Sequence, residues 1–291
     1  MAHVSVLLDE IVEWLNPQPG MMLVDGTLGG GGHTRALAER VSPSGGVLAF
    51  DRDPAALAAA ENELRGLPVK LVHANFAELP AVLEQLGVPA IDGLVLDLGL
   101  SSDQLADEAR GFSFDSAGPL DLRFDTGEGQ PAWKLLERLS ERELADVIFQ
   151  YGEERYSRRI ARRIVERRST NPVRTAVELA SLVRSCVPRS PGHKIDPATR
   201  TFQALRIAVN HELTSLEHVL AELPDCLRPG ARVAVISFHS LEDRLVKTTF
   251  RGDPRYEVLT RKPIRPSDVE VARNPRSRSA KLRVAARVAP H

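Results

Sequence analysis

The sequence predicts an α/β fold in which a doubly wound, mostly parallel sheet of seven strands is interrupted by an inserted helical domain. Three observations predict it. Short apolar runs alternate with helical patterns through the first hundred residues, the alternation stops between about residues 105 and 200, and it resumes from residue 201. Met22–Asp25, Val47–Asp51, Val69–Val72 and Leu94–Asp97 are the apolar runs, each ending near a polar or Gly-rich turn. Between them His33–Val41, Pro54–Leu64 and Leu79–Leu86 have helical spacing, which together gives the rhythm of parallel strands joined by crossover helices. Asp53 before Pro54 reads as an N-cap followed by proline at the first helical position.

The middle third opens on a loop between Gly111 and Gly129. Ser140 with Glu143 and Thr175 with Glu178 fit the capping box, so helices are expected over 140–150 and 175–187, with another over Glu153–Arg168. A single long amphipathic helix is expected over Thr201–Leu223, then a strand at Arg232–Ser237 and a helix over Leu241–Phe250. Strands at Tyr256–Thr260 and Lys281–Val288 are expected as an antiparallel hairpin closing the sheet. On this reading residues 1–104 and 201–291 form the sheet domain and residues 105–200 the insertion.

Composition narrows the function classes. The 291 residues are 43% hydrophobic and 26% charged, ordinary for a chain with a packed core. Cys186 and Cys226 make neither a disulfide framework nor a zinc spacing, so a reducing, cytoplasmic location is expected. Asp9, Glu10 and Glu13 replace the basic start of a signal peptide, and no apolar stretch approaches about 18 residues, so no membrane partner is expected. Charge is unevenly spread. Residues 1–150 hold 10 Lys and Arg against 24 Asp and Glu, whereas 151–250 hold 17 against 11 and 251–291 hold 11 against 4. The basic later part suits a polyanion, and equally a solvated basic face.

The segment from Met22 to Leu37 is strand, terminal acid, four glycines and helix. Glycines at such a turn let a ligand approach the backbone, and the helix start offers N–H donors. His33 stands where a P-loop needs lysine, and Thr34 stands where a dinucleotide fingerprint needs its third glycine, so ATP, GTP and NAD fit poorly. S-adenosylmethionine (SAM) needs neither feature. Asp25 suits its ammonium and Asp51, at the end of the second strand, its ribose hydroxyls; Asp51 otherwise caps the helix that follows. Asn75 and Phe76 suit the adenine, by hydrogen bond and stacking, although Phe76 also suits the core. Asp97 ends the fourth strand and precedes Ser101, Ser102 and Gln104, but the D/N-P-P-aromatic tetrad of many amino-group methyltransferases is replaced by DLGL.

The blocks HVSVLLDE (3–10), DGTLGGGGHTRAL (25–37), DRDP (51–54), DGLVLDLGLSSDQL (92–105), RGFSF (110–114), PLDLRF (119–124), YGEER (151–155), TFQALRIAVNHEL (201–213), ISFHSLEDRLVK (236–247) and NPRSRSAKLRVA (274–285) run along nearly the whole chain. In this order the chain resembles the bacterial 16S ribosomal RNA (cytosine-N4)-methyltransferase H family, also called MraW. The resemblance implies a class I SAM-dependent fold with an inserted helical domain, and N4-methylation of a cytidine in the decoding region of 16S ribosomal RNA. It implies SAM contacts at Gly31, Gly32, His33, Asp51, Phe76, Asp97 and Gln104. Ser5 departs from the proline expected there.

An exocyclic amine needs alignment with the methyl donor and a hydrogen-bond acceptor, for which Asp97, Ser101 and Ser102 are the candidates; no metal is required. Arg158, Arg159, Arg162 and Arg163 lie at helical spacing with Arg155, Arg167 and Arg168 and suit RNA phosphates, or pair with Glu153, Glu154 and Glu166. Arg276 and Arg278 form a second basic tract, while Asn210 and His239 are candidates for a base pocket, with a turn cap as the plainer role for His239. The expected partner is 16S ribosomal RNA within the small subunit, with a homodimer left open. Two rivals remain: a non-catalytic RNA-binding or assembly protein on the same fold, and a methyltransferase acting on DNA or protein.

Overall fold

The apolar runs come together as one sheet in the computed structural model, which describes residues 5–188 and 196–289. The chain divides into two units, Met1–Ser101 with Leu213–His291, and Ser102–Glu212. The first unit starts with helix α1 (Leu8–Leu15), entered through Leu7 in the left-handed region at φ 53°. There follow β1 (Met22–Asp25), α2 (Gly32–Val41), β2 (Gly46–Asp51), α3 (Pro54–Glu63), β3 (Val69–His73), α4 (Leu79–Leu86) and β4 (Ile91–Asp97). Asp53 caps α3 by accepting from the Ala55 N–H at 3.0 Å, with Pro54 opening the helix as expected.

The second unit is helical: α5 (Ser102–Ala106), α6 (Ala132–Arg138), α7 (Glu141–Gly152), α8 (Ser157–Arg168), α9 (Ala176–Cys186) and α10 (Thr199–Asn210). Both expected capping boxes close, Ser140 with Glu143 on α7 and Thr175 with Glu178 on α9. Leu144, Ile148, Ile160, Ile164, Leu179, Val183 and Leu205 are buried from successive helices. The loop before α6 is organised by charge. Arg110 is buried and its Nη1 donates to the carbonyls of Arg123 and Phe124 at 3.2 and 2.7 Å, while Arg123 grips Asp121 through Nε and Nη2 at 2.7 and 2.8 Å.

The chain returns to the first unit with α11 (Glu212–Cys226), β5 (Leu227–Ser237), α12 (Ser240–Gly252), β6 (Tyr256–Val258), α13 (Asp268–Arg273) and β7 (Lys281–Arg287). Strand order is β3-β2-β1-β4-β5-β7-β6, parallel except for β7. Alternate residues supply two cores. Leu94, Leu96, Val233 and Val235 pack with Leu216 and Leu220 on one face, and Val95, Ala234 and Ile236 with Ile11, Leu37 and Val41 on the other. Among the described residues no helix is long and apolar enough to cross a membrane.

Two expectations about elements are corrected. The single helix over Thr201–Leu223 is two, because His211 sits at φ 54° and breaks the ladder between α10 and α11. The helix over Glu153–Arg168 begins only at Ser157, since Glu153 is the left-handed C-cap of α7 at φ 50°. The closing strands pair antiparallel as expected, with β7 between β5 and β6 and alone antiparallel to the rest, so β6 is the edge strand.

Candidate functional site

In the first unit, β1, β2 and β4 end in Asp25, Asp51 and Asp97, which lines three acids along one edge of the sheet. The chain order reverses beside β1, whose neighbours are β2 and β4, and open α/β sheets leave a ligand crevice at such a point. The glycine turn follows β1. Gly31 takes φ 74°, open to glycine at little cost, and a Cβ on Gly32 would overlap Ser5 Oγ, so the N-terminal segment lies directly against the start of α2. Ser5, the departure from the expected proline, is therefore a packing residue here.

Asp51 holds this turn in place. Its Oδ2 accepts from the Gly29 N–H at 2.9 Å and its Oδ1 from the Asp53 N–H at 2.8 Å. Burial raises its carboxyl to about 6, with the two N–H donors opposing and Asp53 and Asp25 reinforcing the rise. Each oxygen retains acceptor capacity beyond one backbone donor, which suits a diol.

Asp97 is placed by its backbone, whose N–H donates to Thr27 Oγ1 at 2.6 Å. Its Oδ2 lies 3.7 Å from His33 Nδ1, and its Oδ1 is buried without a hydrogen-bond partner among the described residues. Burial raises the carboxyl to about 7; His33 opposes the rise, while Asp25, Glu242 and Glu270 add to it. His33 is itself buried, with Nε2 3.0 Å from the Val6 carbonyl. An acid titrating near neutrality at a strand end is the arrangement expected of a functional carboxyl. Ser101 follows on the same loop, its Cβ 3.8 Å from where a Cβ on Gly29 would stand.

Several expected binding residues are committed elsewhere. Asp25 is fully buried, and its oxygens accept from the Thr27 N–H at 3.1 Å and the Thr34 hydroxyl at 2.7 Å, so it braces the glycine turn instead of facing an ammonium. Asn75 caps a 3₁₀ turn by accepting from the Ala77 N–H at 3.0 Å, and its amide donates to Ser215 Oγ at 2.9 Å. That leaves it poorly suited to adenine. Phe76, half-buried, packs against the sheet core. His239 caps α12: Nδ1 accepts from the Glu242 N–H at 3.3 Å and Nε2 lies 3.1 Å from Glu242 Oε1, which realises its plainer role.

In the second unit Ser102 and Gln104 lie on α5, with Gln104 buried. Asn210 is buried at the end of α10, where it accepts from the Phe124 N–H at 2.8 Å and donates to the Leu122 carbonyl at 2.6 Å, so it shapes the preceding loop and is not open to a base. On α8, Ile160, Ala161 and Ile164 turn inward and Arg158, Arg159, Arg162 and Arg163 are exposed. Arg162 and Arg163 stand 3.4 Å from Glu141 and Glu166. Arg167 and Arg168 are half-buried, and Arg155 precedes the helix, its guanidinium 5.0 Å from the centre of the Tyr156 ring. Arg276 and Arg278 are exposed on a 3₁₀ turn of the first unit.

Sequence reasoning missed Glu242 and Glu270. Glu242 is buried on α12 and accepts from the Phe238 N–H at 2.9 Å, while Glu270 on α13 accepts from the Leu7 N–H at 2.8 Å. The capping pattern His239 to Glu242 was a usable signal for the first; a contact 263 residues apart left none for the second. The residues of the first unit fit SAM through Asp51, which offers diol acceptors beside the glycine turn, while Asp97 Oδ1 is a buried acceptor with no hydrogen-bond partner among the described residues.

A family model described as the MraW methylase family matches residues 1–288. A protein of Rhodopirellula baltica named ribosomal RNA small subunit methyltransferase H is 54% identical over 298 residues, spanning 98% of this chain and 91% of that protein. A protein of the same name from Synechococcus elongatus is 50% identical, spanning 99% and 95%. Among solved structures, a candidate rRNA methylase from Clostridium thermocellum has a TM-score of 0.51 at 13% identity, covering 98% of this chain and 99% of that one, a likeness of fold alone.

Proposed function

The chain belongs to the MraW methylase family, and from that premise we propose that it moves a methyl group from SAM to the N4 amine of a cytidine in the decoding region of 16S ribosomal RNA. Methylation of small-subunit ribosomal RNA rests on relatives 54% and 50% identical over nearly the whole chain. The N4 position and the decoding region rest on the ordered motif resemblance in the sequence. SAM, the methyl donor, supplies a methyl already activated on a positively charged sulfur, so the protein's part is to hold and align.

Asp51 and the glycine turn hold the cofactor through ribose and backbone contacts. Asp97 carries the chemistry. Its Oδ1 is a buried acceptor with no donor among the described residues, at the carboxyl end of β4, and a hydrogen bond from the amine to it would orient the nitrogen lone pair. A carboxylate there also meets the positive charge that grows on nitrogen as the methyl arrives. Ser101 is a secondary acceptor on the following loop. The exposed arginines of α8, with Arg276 and Arg278, supply phosphate contacts.

The test is direct. Incubation with labelled SAM and small subunits lacking the modification, followed by nucleoside mapping, is expected to give label on N4-methylcytidine. Tight SAM binding with no label in RNA would make the chain an assembly protein, and label on another nucleoside would refute the amine assignment.

A further inference from the structure

The buried pair His33 and Asp97 has a proton arrangement that its surroundings nearly dictate. His33 Nε2 lies 3.0 Å from the Val6 carbonyl, which can only accept, so Nε2 carries a hydrogen. The other nitrogen, Nδ1, faces Asp97 Oδ2 at 3.7 Å. A bare Nδ1 lone pair against a carboxylate would set two acceptors face to face. One proton therefore belongs between them, on Nδ1 or on Oδ2. The distance is that of an ion pair and not of a formed hydrogen bond, as is common in catalytic pairs before the site is loaded.

Among the described residues, the carboxylates that act most strongly on Asp97 disfavour its ionisation. Asp25 comes from β1, Glu242 from α12 and Glu270 from α13, and His33 on α2 acts the other way, favouring the carboxylate. Asp25 and Glu242 are themselves buried, so solvent does little to screen them.

We propose that His33 is a positioning residue for catalysis: with the proton on Nδ1 it keeps Asp97 ionised, so that Oδ1 can take a proton from the substrate amine. The step balances. The amine lone pair forms the new N–C bond, the C–S bond breaks with its electron pair left on sulfur, and the nitrogen, now cationic, loses one hydrogen as a proton to Asp97 Oδ1. The proton then leaves to solvent and restores the carboxylate. This rests on the reading of the acceptor as an amine, but the state of the pair in the SAM-free protein does not.

His33→Gln tests it, because glutamine keeps an N–H donor for the Val6 carbonyl and removes the imidazole from Asp97. In SAM-free protein the Asp97 carboxyl carbon, followed by NMR and identified by its loss in Asp97→Asn, is expected to titrate about one pH unit higher in the variant, the usual effect of losing an opposite charge at this range. In turnover the acid limb of the kcat/KM profile is expected to move upward by a similar amount, so that raising the pH recovers much of the lost rate. A purely structural His33 would lower the rate equally at every pH and leave the Asp97 titration in place, which overturns the proposal. If His33→Gln does not fold, the wild-type ring nitrogens are read instead: a His33 Nδ1 signal unmoved by Asp97→Asn overturns it equally. A shifted titration without methylated cytidine would instead refute only the substrate reading.

Discussion

Replacing Asp97 with asparagine is expected to make the protein more stable and less active, and the stability gain should grow with pH. The carboxyl is raised from 3.8 to about 7, chiefly by burial. Since the folded value lies above the unfolded one, the fold holds this proton more tightly than the open chain does. The resulting stability is fully present below about pH 4 and is lost as pH rises through about 7. At about 1.36 kcal/mol per pH unit the loss is at most about 4 kcal/mol. The Asp97 side chain is 17% exposed, so screening by solvent should bring the measured change to about 2–4 kcal/mol. Asparagine is nearly isosteric and has no proton to lose. Urea unfolding of both proteins without SAM, at intervals from pH 5 to about 8.5, gives the difference curve, in which the titrations of groups remote from Asp97 cancel. Of that change, the part between pH 5 and about 7, about 1.3–2.5 kcal/mol, falls in the scanned range, and the difference should rise by that amount and level off above about pH 7. Parallel stability curves would refute the buried, unfavourable carboxylate, and with it the account of why this acid is poised near pH 7.

The same Asp97→Asn variant should turn over about 10²-fold more slowly while binding SAM nearly as well, as measured by single-turnover kinetics and calorimetry; a loss of affinity restored by saturating SAM would reassign Asp97 to the cofactor. Asp51→Ala should weaken SAM binding by about 1.5–3 kcal/mol in calorimetric titration, and unchanged affinity in a folded variant would leave Asp51 only its ties to Gly29 and Asp53. Replacing Arg158, Arg159, Arg162 and Arg163 with glutamine should flatten the salt dependence of RNA binding by up to about 0.7–0.9 log units per lost phosphate contact with SAM affinity unchanged, and an identical slope would remove α8 from the RNA surface. Gly152→Ala would push a Cβ into the Arg200 carbonyl where α7 meets α10, and thermal unfolding should show a loss of about 1–3 kcal/mol; a neutral outcome would mean that the helices part easily.

The sequence by itself determined the elements whose causes are local. Short apolar runs set β1 to β5, Asp53 with Pro54 set the start of α3, and the Ser140 and Thr175 boxes set α7 and α9, because each signal lies within a few residues of the element it governs. The placement of Asp51 and Asp97 at the ligand edge was legible too, since it follows from where a parallel strand ends. Only the tertiary structure decided what those side chains meet. Whether Asn75 reads a base or holds Ser215, and whether Asn210 lines a pocket or secures Leu122, depend on partners far along the chain, and whether Asp25 faces a ligand or Thr34 depends on how the glycine turn folds back on it. The break at His211 likewise runs against a helical periodicity that continues on both sides of it. A buried polar group must find its partner among whatever the fold brings near, and that choice is made by packing over the whole molecule. So it is with His33 and Asp97, which are 3.7 Å apart across the end of the sheet and share no local pattern that would have joined them.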